Sequence, residues 1–227
     1  MATYDLEEQE QIAEVKAWWK QYGNLVTGVV TAAAIGVLGW QGWTYYQGSQ
    51  AGKASAVYGV LQRAVVDKDS QRVKTASGEL LEKFGGTAYA PLGALSAAKV
   101  MFDAGDAKTA KLQLLWVVDN GKDGLRDLAR LRLAALLVDD KAYDEALKQL
   151  DGDVGPAFAV RFLGSRGDVF SAQGKKAEAK GAYLAALAKL DDGDKTGQGK
   201  NTLQATQVNA AYREILRLKL DALGESS

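Results

Sequence analysis

The sequence contains no cysteine and no histidine. The first absence excludes thiolate nucleophiles, disulfides, zinc knuckles and iron–sulfur ligation. The second removes the commonest general base and the commonest metal ligand. Only Asp, Glu, Lys, Tyr or Ser chemistry is left, so an enzyme is disfavoured and no catalytic residue, cofactor or metal is expected. An excess of one charge is missing too: 28 Lys plus Arg balance 28 Asp plus Glu. With no global basic field to release counterions from a phosphate backbone, nucleic acid is not an expected partner. Two prolines in 227 residues and a scarcity of alternating strand patterns point to an all-α chain.

Charge is also absent locally. Between Lys20 and Lys53 there is no Asp, Glu, Lys or Arg. The apolar part, about Asn24 to Trp43, would span roughly 30 Å as a helix, the thickness of a bilayer core. Its polar residues (Thr27, Thr31, Gln41) form no polar face of the kind a buried soluble helix shows. Trp18, Trp19 and Tyr22 stand at one end and Trp40, Trp43, Tyr45 and Tyr46 at the other, the interfacial positions of amphipathic rings. A secretion signal would be shorter and preceded by a basic region. Here Glu7, Glu8, Glu10 and Glu14 precede the run, so a retained anchor is expected. Lys16 and Lys20 before it, against Lys53 and Arg63 after it, favour an N-terminus inside. Within the run, Gly28, Ala32 and Gly36 recur every four residues and form one small-residue face for another membrane helix. Such patterns also arise by chance, because Gly and Ala are frequent in membrane helices. The preceding stretch YDLEEQEQIAEVKAWWKQYGN carries Ile12, Val15, Trp19 and Tyr22 at helical spacing and reads as an amphipathic helix. It either lies at the interface or docks a cytoplasmic partner.

After Gln47 the chain turns to Ala- and Leu-rich helical segments, and three turns superpose: MFDAGDAKTAKLQLL, LLVDDKAYDEALKQL and VFSAQGKKAEAKGAYL. Aligning Gly105, Lys141 and Gly174 gives intervals near the roughly 34 residues of a tetratricopeptide helix pair. Small residues then coincide at Ala98, Ala134 and Gly167 and at Ala110, Ala146 and Ala179. Bulky ones coincide at Met101, Leu137 and Phe170 and at Leu114, Leu150 and Tyr183. This resembles the tetratricopeptide repeat, without that family's usual Trp and Pro. The spacing predicts helix pairs near Pro91 to Val118, Leu125 to Leu150 and Ala157 to Leu190, an earlier pair over Ala51 to Phe84, and a terminal helix in LQATQVNAAYREILRLKLDAL. The resulting fold class is all-α: a single transmembrane helix followed by a tetratricopeptide-like helical-repeat solenoid.

Two loop motifs fail on inspection. Asp192, Asp194 and Gly197 are spaced like the start of a calcium loop, but its closing Glu is Leu203. Gly199 and Lys200 suggest a phosphate loop, but Asp194 and Asn201 stand where Gly and Ser or Thr belong. A solvated inter-helix loop is expected there instead, and Asp139 with Asp140 reads as a polar turn. Repeat geometry directs Leu92, Leu95 and Phe102, with Leu128, Leu131 and Val138, toward a concave groove suited to a segment of another protein. The terminal helix, with Val208, Tyr212, Ile215 and Leu218 on one stripe, is a competing occupant of that groove.

The combination of VKAWWKQYGN, GWQGWTYYQ, ASAVYGVLQ and LEKFGGTAYAPLGALSAAKVMFD resembles the bacterial ancillary SecYEG translocon subunit family over essentially the whole chain. That resemblance implies a bitopic inner-membrane protein with a cytoplasmic segment (1–23), a membrane helix (24–46) and a periplasmic tetratricopeptide-like domain (47–227). It further implies association with the SecYEG translocon, with a membrane-anchored periplasmic chaperone and with exported polypeptides in passage. A membrane-tethered cytoplasmic scaffold or regulator adaptor shares every repeat feature and differs in topology. Replacing Gly36 by Leu fills the small-residue face, so co-purification with the translocon is expected to fall; an unchanged yield in a pull-down would remove that face from the interaction.

Overall fold

The computed structural model describes residues 2–196 and 203–224. Among them there is no strand, and the helices are α1 (Ala2–Val66), α2 (Ser70–Phe84), α3 (Tyr89–Asp103), α4 (Ala107–Asn120), α5 (Asp123–Asp139), α6 (Tyr143–Gln149), α7 (Ala159–Ala172), α8 (Lys176–Thr196) and α9 (Leu203–Gly224). The chain divides into two compact units, residues 1–53 and 54–227.

In the first unit α1 carries the one stretch among the described residues that is long and apolar enough to cross a membrane, and only 6% of it is buried. A soluble core helix would hide such a stretch, whereas here Leu25, Val29, Val30, Ile35, Val37 and Leu38 are all exposed. A lipid environment satisfies those side chains, while the helix satisfies its own backbone. The flanking rings pair along the helix, Trp18 with Tyr22 at 5.8 Å and Trp43 with Tyr46 at 6.3 Å between centroids. A methyl added at Gly28 or Gly36 would meet nothing within 4 Å, so the small-residue row is uncovered by the chain's own side chains.

The second unit is a stack of helix pairs: the end of α1 with α2, then α3 with α4, α5 with α6, and α7 with α8, closed by α9. Each pair turns by the same device. Lys68, Gly105, Lys141 and Gly174 all have positive φ, at 55°, 82°, 60° and 75°. The next residue's N–H reaches back to the carbonyl five residues earlier: Asp69 to Ala64 at 2.9 Å, Asp106 to Met101 at 2.8 Å, Ala142 to Leu137 at 2.8 Å and Lys175 to Phe170 at 2.9 Å. These are Schellman closures, which pair otherwise orphaned carbonyls at a helix end. Asp69 and Asp106 then cap the following helices by accepting from Arg72 and Thr109 N–H, both at 3.0 Å. The hydrogen bonds from Thr109 hold the Asp106 carboxyl below its usual range.

Identical turns fix where the paired helices cross, and small residues occupy the crossings. Ala98, Ala134, Ala110, Ala146 and Ala179 are all buried. A Cβ on Gly167 would overlap the Tyr183 ring, so the bulky phenol of the last pair fits only because its partner is glycine. The first pair inverts the sizes: Leu61 replaces the small residue, and Ser77 stands where the others carry Leu114, Leu150 and Tyr183. Ser77 is fully buried and its hydroxyl donates to Gln113 Oε1 at 2.8 Å, which meets the demand for a partner inside a core. Gly93 on α3 leaves room for Leu61 and Leu80.

The α5–α6 pair is the weak member, because α6 has only seven residues and covers less of its neighbours than α4 or α8. Arg130 compensates. Its Nε donates to Gln149 O at 2.8 Å and Nη1 to Asp153 O at 3.0 Å, while Nη2 bonds Asp151 O. The guanidinium lies 4.8 Å from the Phe162 ring centre and 3.6 Å from Asp127, whose other oxygen accepts from Gly155 N–H at 2.9 Å. The loop from α6 to α7 is thereby fastened to α5.

One expected loop is helical: α8 continues through Asp191–Thr196. Leu190 stays in the core beneath α9 and Arg213 of α9 pairs with Asp191 at 3.1 Å, which offsets the weak helix propensity of Asp and Gly. Gly197, Gly199, Lys200 and Asn201 lie outside the described residues. The shared turn generates a pair of opposite expectations. Gly105→Ala adds a Cβ in open space at positive φ and is expected to cost about 1 kcal/mol; Lys141→Gly relieves the same strain and is expected to gain up to about 1 kcal/mol. Urea denaturation followed by circular dichroism reads both, and shifts of the same sign would show that the two turns are not equivalent.

Candidate functional site

The repeat unit has a cleft of about 400 Å³ between α3 and α5. Its floor is apolar, built from the buried Ala98, Leu114 and Leu136, with Ala135 and Phe102 exposed beside them. Small residues at the α3 and α5 crossings leave the space, and Phe102 is 47% exposed, uncovered by any described residue. The rim is charged, with Lys99 and Asp103 on α3 and Arg132 and Asp139 on α5. Lys99 Nζ sits 2.7 Å from Asp103 Oδ2, one turn apart on an exposed face. Arg132 Nη1 donates to Leu95 O at 3.1 Å, joining α5 to α3 and orienting the guanidinium.

The six apolar residues expected to face a groove fall in different settings. Phe102 lines the cleft. Leu95 is a core residue at 5% exposure, and Leu128, Leu131 and Val138 pack partly buried against the same core; Leu92 is half-buried. The residues that ring the opening, Lys99, Asp103, Arg132 and Asp139, stand on the same helices about one position further round. The periodic apolar signal could not reveal them, because Lys99 aligns with Ala135 and no residue type repeats there.

The terminal helix does not occupy this cleft. It packs on α7 and α8 through Tyr212, Leu216, Leu220 and Leu223, and Val208, Ile215 and Leu218 are exposed. The rotation is set by Gly164, whose missing side chain leaves space for Tyr212 and Leu216, and by Lys219, which reaches Asp168 Oδ1 at 2.6 Å and Oδ2 at 2.8 Å. Asp168 also accepts from the Tyr183 hydroxyl at 2.8 Å, so one carboxylate binds α7, α8 and α9 together. Burial, and then the Asp168 carboxylate, push the Tyr183 phenol above its ordinary value. Burial raises Tyr212 too, aided by Asp168 and opposed by Arg161, which lies 5.5 Å from its ring centre. With its carboxylate shared between the Tyr183 hydroxyl and the Lys219 ammonium, the cluster is a clasp. Among the described residues no three Asp or Glu side chains gather as a metal site.

Comparison with known proteins agrees with this architecture. A family model described as a tetratricopeptide repeat-like domain matches residues 16–225. Curated relatives named ancillary SecYEG translocon subunit include one from Neisseria gonorrhoeae, 32% identical over 220 residues, covering 96% of this chain and 98% of that protein. One from Haemophilus influenzae is 30% identical over 79% of this chain and 88% of its own. One from Escherichia coli K12 is 29% identical over 95% of this chain and 96% of its own. No solved structure matches the chain.

The clasp has a pH signature. A phenol raised in the fold contributes stability that is complete below its unfolded value, near 10, and lost as pH climbs through the higher folded value. Alkaline denaturation of the wild type is therefore expected above pH of about 10, and Tyr183→Phe is expected to flatten that part of the stability curve. An unaltered alkaline limb in the variant would remove Tyr183 as its source.

Proposed function

Because the chain belongs to the ancillary SecYEG translocon subunit family, we propose that it is a non-catalytic, membrane-anchored scaffold at the protein-export channel. In this reading the segment before the anchor is cytoplasmic and the repeat unit is periplasmic. The Gly28, Ala32 and Gly36 face packs against a helix of the translocon. The repeat unit, at the channel exit, receives exported polypeptides together with a membrane-anchored periplasmic chaperone. The single observation that carries the reading is the pairing of an uncovered apolar helix with a helical-repeat unit that opens an apolar-lined cleft. Anchoring makes weak contacts sufficient, since it replaces free encounter by a high effective concentration.

Topology separates this function from that of a cytoplasmic scaffold on the same anchor. The absence of cysteine makes the test direct: Ser226→Cys gives one thiol, treated in intact cells with a maleimide that does not cross the inner membrane. Labelling before lysis is the expected outcome. Labelling only after lysis would place the repeat unit in the cytoplasm and replace the export function with the tethered cytoplasmic scaffold.

A further inference from the structure

We propose that the α3–α5 cleft selects a short extended polypeptide segment in which an acidic and a basic residue flank one or two large apolar side chains. The inference rests on the groove reading above and adds the chemistry of the occupant. The floor and the exposed Phe102 ring call for apolar groups, and about 400 Å³ accommodates more than one side chain. The rim adds polarity. Lys99 and Asp103 neutralise each other at 2.7 Å, which leaves the two α5 charges to set the field. Arg132 spends one N–H on Leu95 O and keeps its remaining donors for a ligand carboxylate. Asp139 has no ion-pair partner among the described residues, and it ends α5 just as Asp103 ends α3. Both helix dipoles therefore present their negative ends beside it, and a cation is favoured there.

The spacing fixes the length of the motif. Arg132 and Asp139 are two helical turns apart, about 10 Å along α5, and an extended chain covers that distance in about three residues. An acidic residue at Arg132 and a basic one at Asp139 thus leave two positions between them, and alternation in an extended chain directs at least one of those side chains into the floor. A uniformly acidic or uniformly basic segment would meet one repulsive end.

The test uses the full chain in detergent micelles with the photo-crosslinking residue p-benzoylphenylalanine in place of Phe102. Three short fluorescent peptides are compared, with central sequences Glu-Leu-Phe-Arg, Glu-Leu-Phe-Glu and Arg-Leu-Phe-Arg. The first is expected to label roughly fivefold more than either control, the size that exposed charge pairs allow. Asp139→Lys, which breaks no contact in the fold, is expected to move the preference to the Glu-Leu-Phe-Glu peptide, and Arg132→Glu to the Arg-Leu-Phe-Arg peptide. Equal labelling by the three, or a preference that Asp139→Lys leaves unmoved, would overturn the charge rule while leaving the groove in place. No labelling by any peptide would overturn the groove itself, and a crosslinked dimer formed without peptide would assign the cleft to a second copy.

Discussion

The repeat stack depends on one buried guanidinium. Where α4 and α8 supply long second helices, α6 supplies two turns, and the chain must still deliver α7 to its place beside α5. Arg130 does this by taking the last carbonyl of α6, two carbonyls of the α6–α7 loop, one carboxylate and one aromatic face onto a single planar group. Its side chain is 12% exposed and that of Asp127 8%, so both charges have been taken out of water and their hydrogen bonds are obligatory. Removing one partner of such a pair costs about 3 to 5 kcal/mol because the other is left buried and unpaired. Lysine would not substitute, since a point charge cannot present five donors in a fork. The register of α7, and through it the clasp at Asp168, follows from this one side chain.

Much of the fold is legible in the sequence because a repeated turn forces a repeated pattern. Gly105 and Gly174 announce left-handed residues, and the small and bulky positions around them coincide because helices that cross at one distance need one size of contact. The first pair was harder to align. Its left-handed residue is Lys68, which carries no glycine signal, and Leu61 with Ser77 exchange the large and small roles. The exchange works only because Gly93 on the following pair yields the volume, a compensation spread over two repeats that no single repeat displays. The terminal helix shows the same limit. Its sequence carries two adjoining apolar stripes, and the choice between them is made by Gly164 and Asp168 on α7, not by α9.

The cleft was less legible than the core for a related reason. Core positions repeat, so alignment finds them; the cleft's rim differs from repeat to repeat, because the packing of the helices does not constrain it. Lys99 and Ala135 occupy equivalent positions, as do Ser96 and Arg132, and each reads alone as an ordinary residue of a solvated helix. Only the packing of α3 against α5 brings an apolar floor, an exposed phenylalanine and a carboxylate without an ion-pair partner among the described residues to one opening. Of the cleft's lining, repeat position alone names Phe102, the counterpart of Val138 on the first helix of the next pair.

The energetics of that opening bear on why an anchor matters. Rim charges at a water-exposed cleft contribute a few tenths to one kcal/mol apiece, and a partly open floor gains less than a closed core. On the proposed function, such a site holds a passing segment weakly and releases it quickly, because affinity differences of this kind appear mainly in the dissociation rate. For a free soluble protein that would mean negligible occupancy. For one tied to the membrane beside the source of its ligands, effective concentration supplies what affinity lacks, and fast release is an advantage to a component that hands chains onward. On the proposed function, the apolar anchor and the modest cleft are therefore two halves of one device: strengthening the cleft would retard transfer, and removing the anchor would empty it.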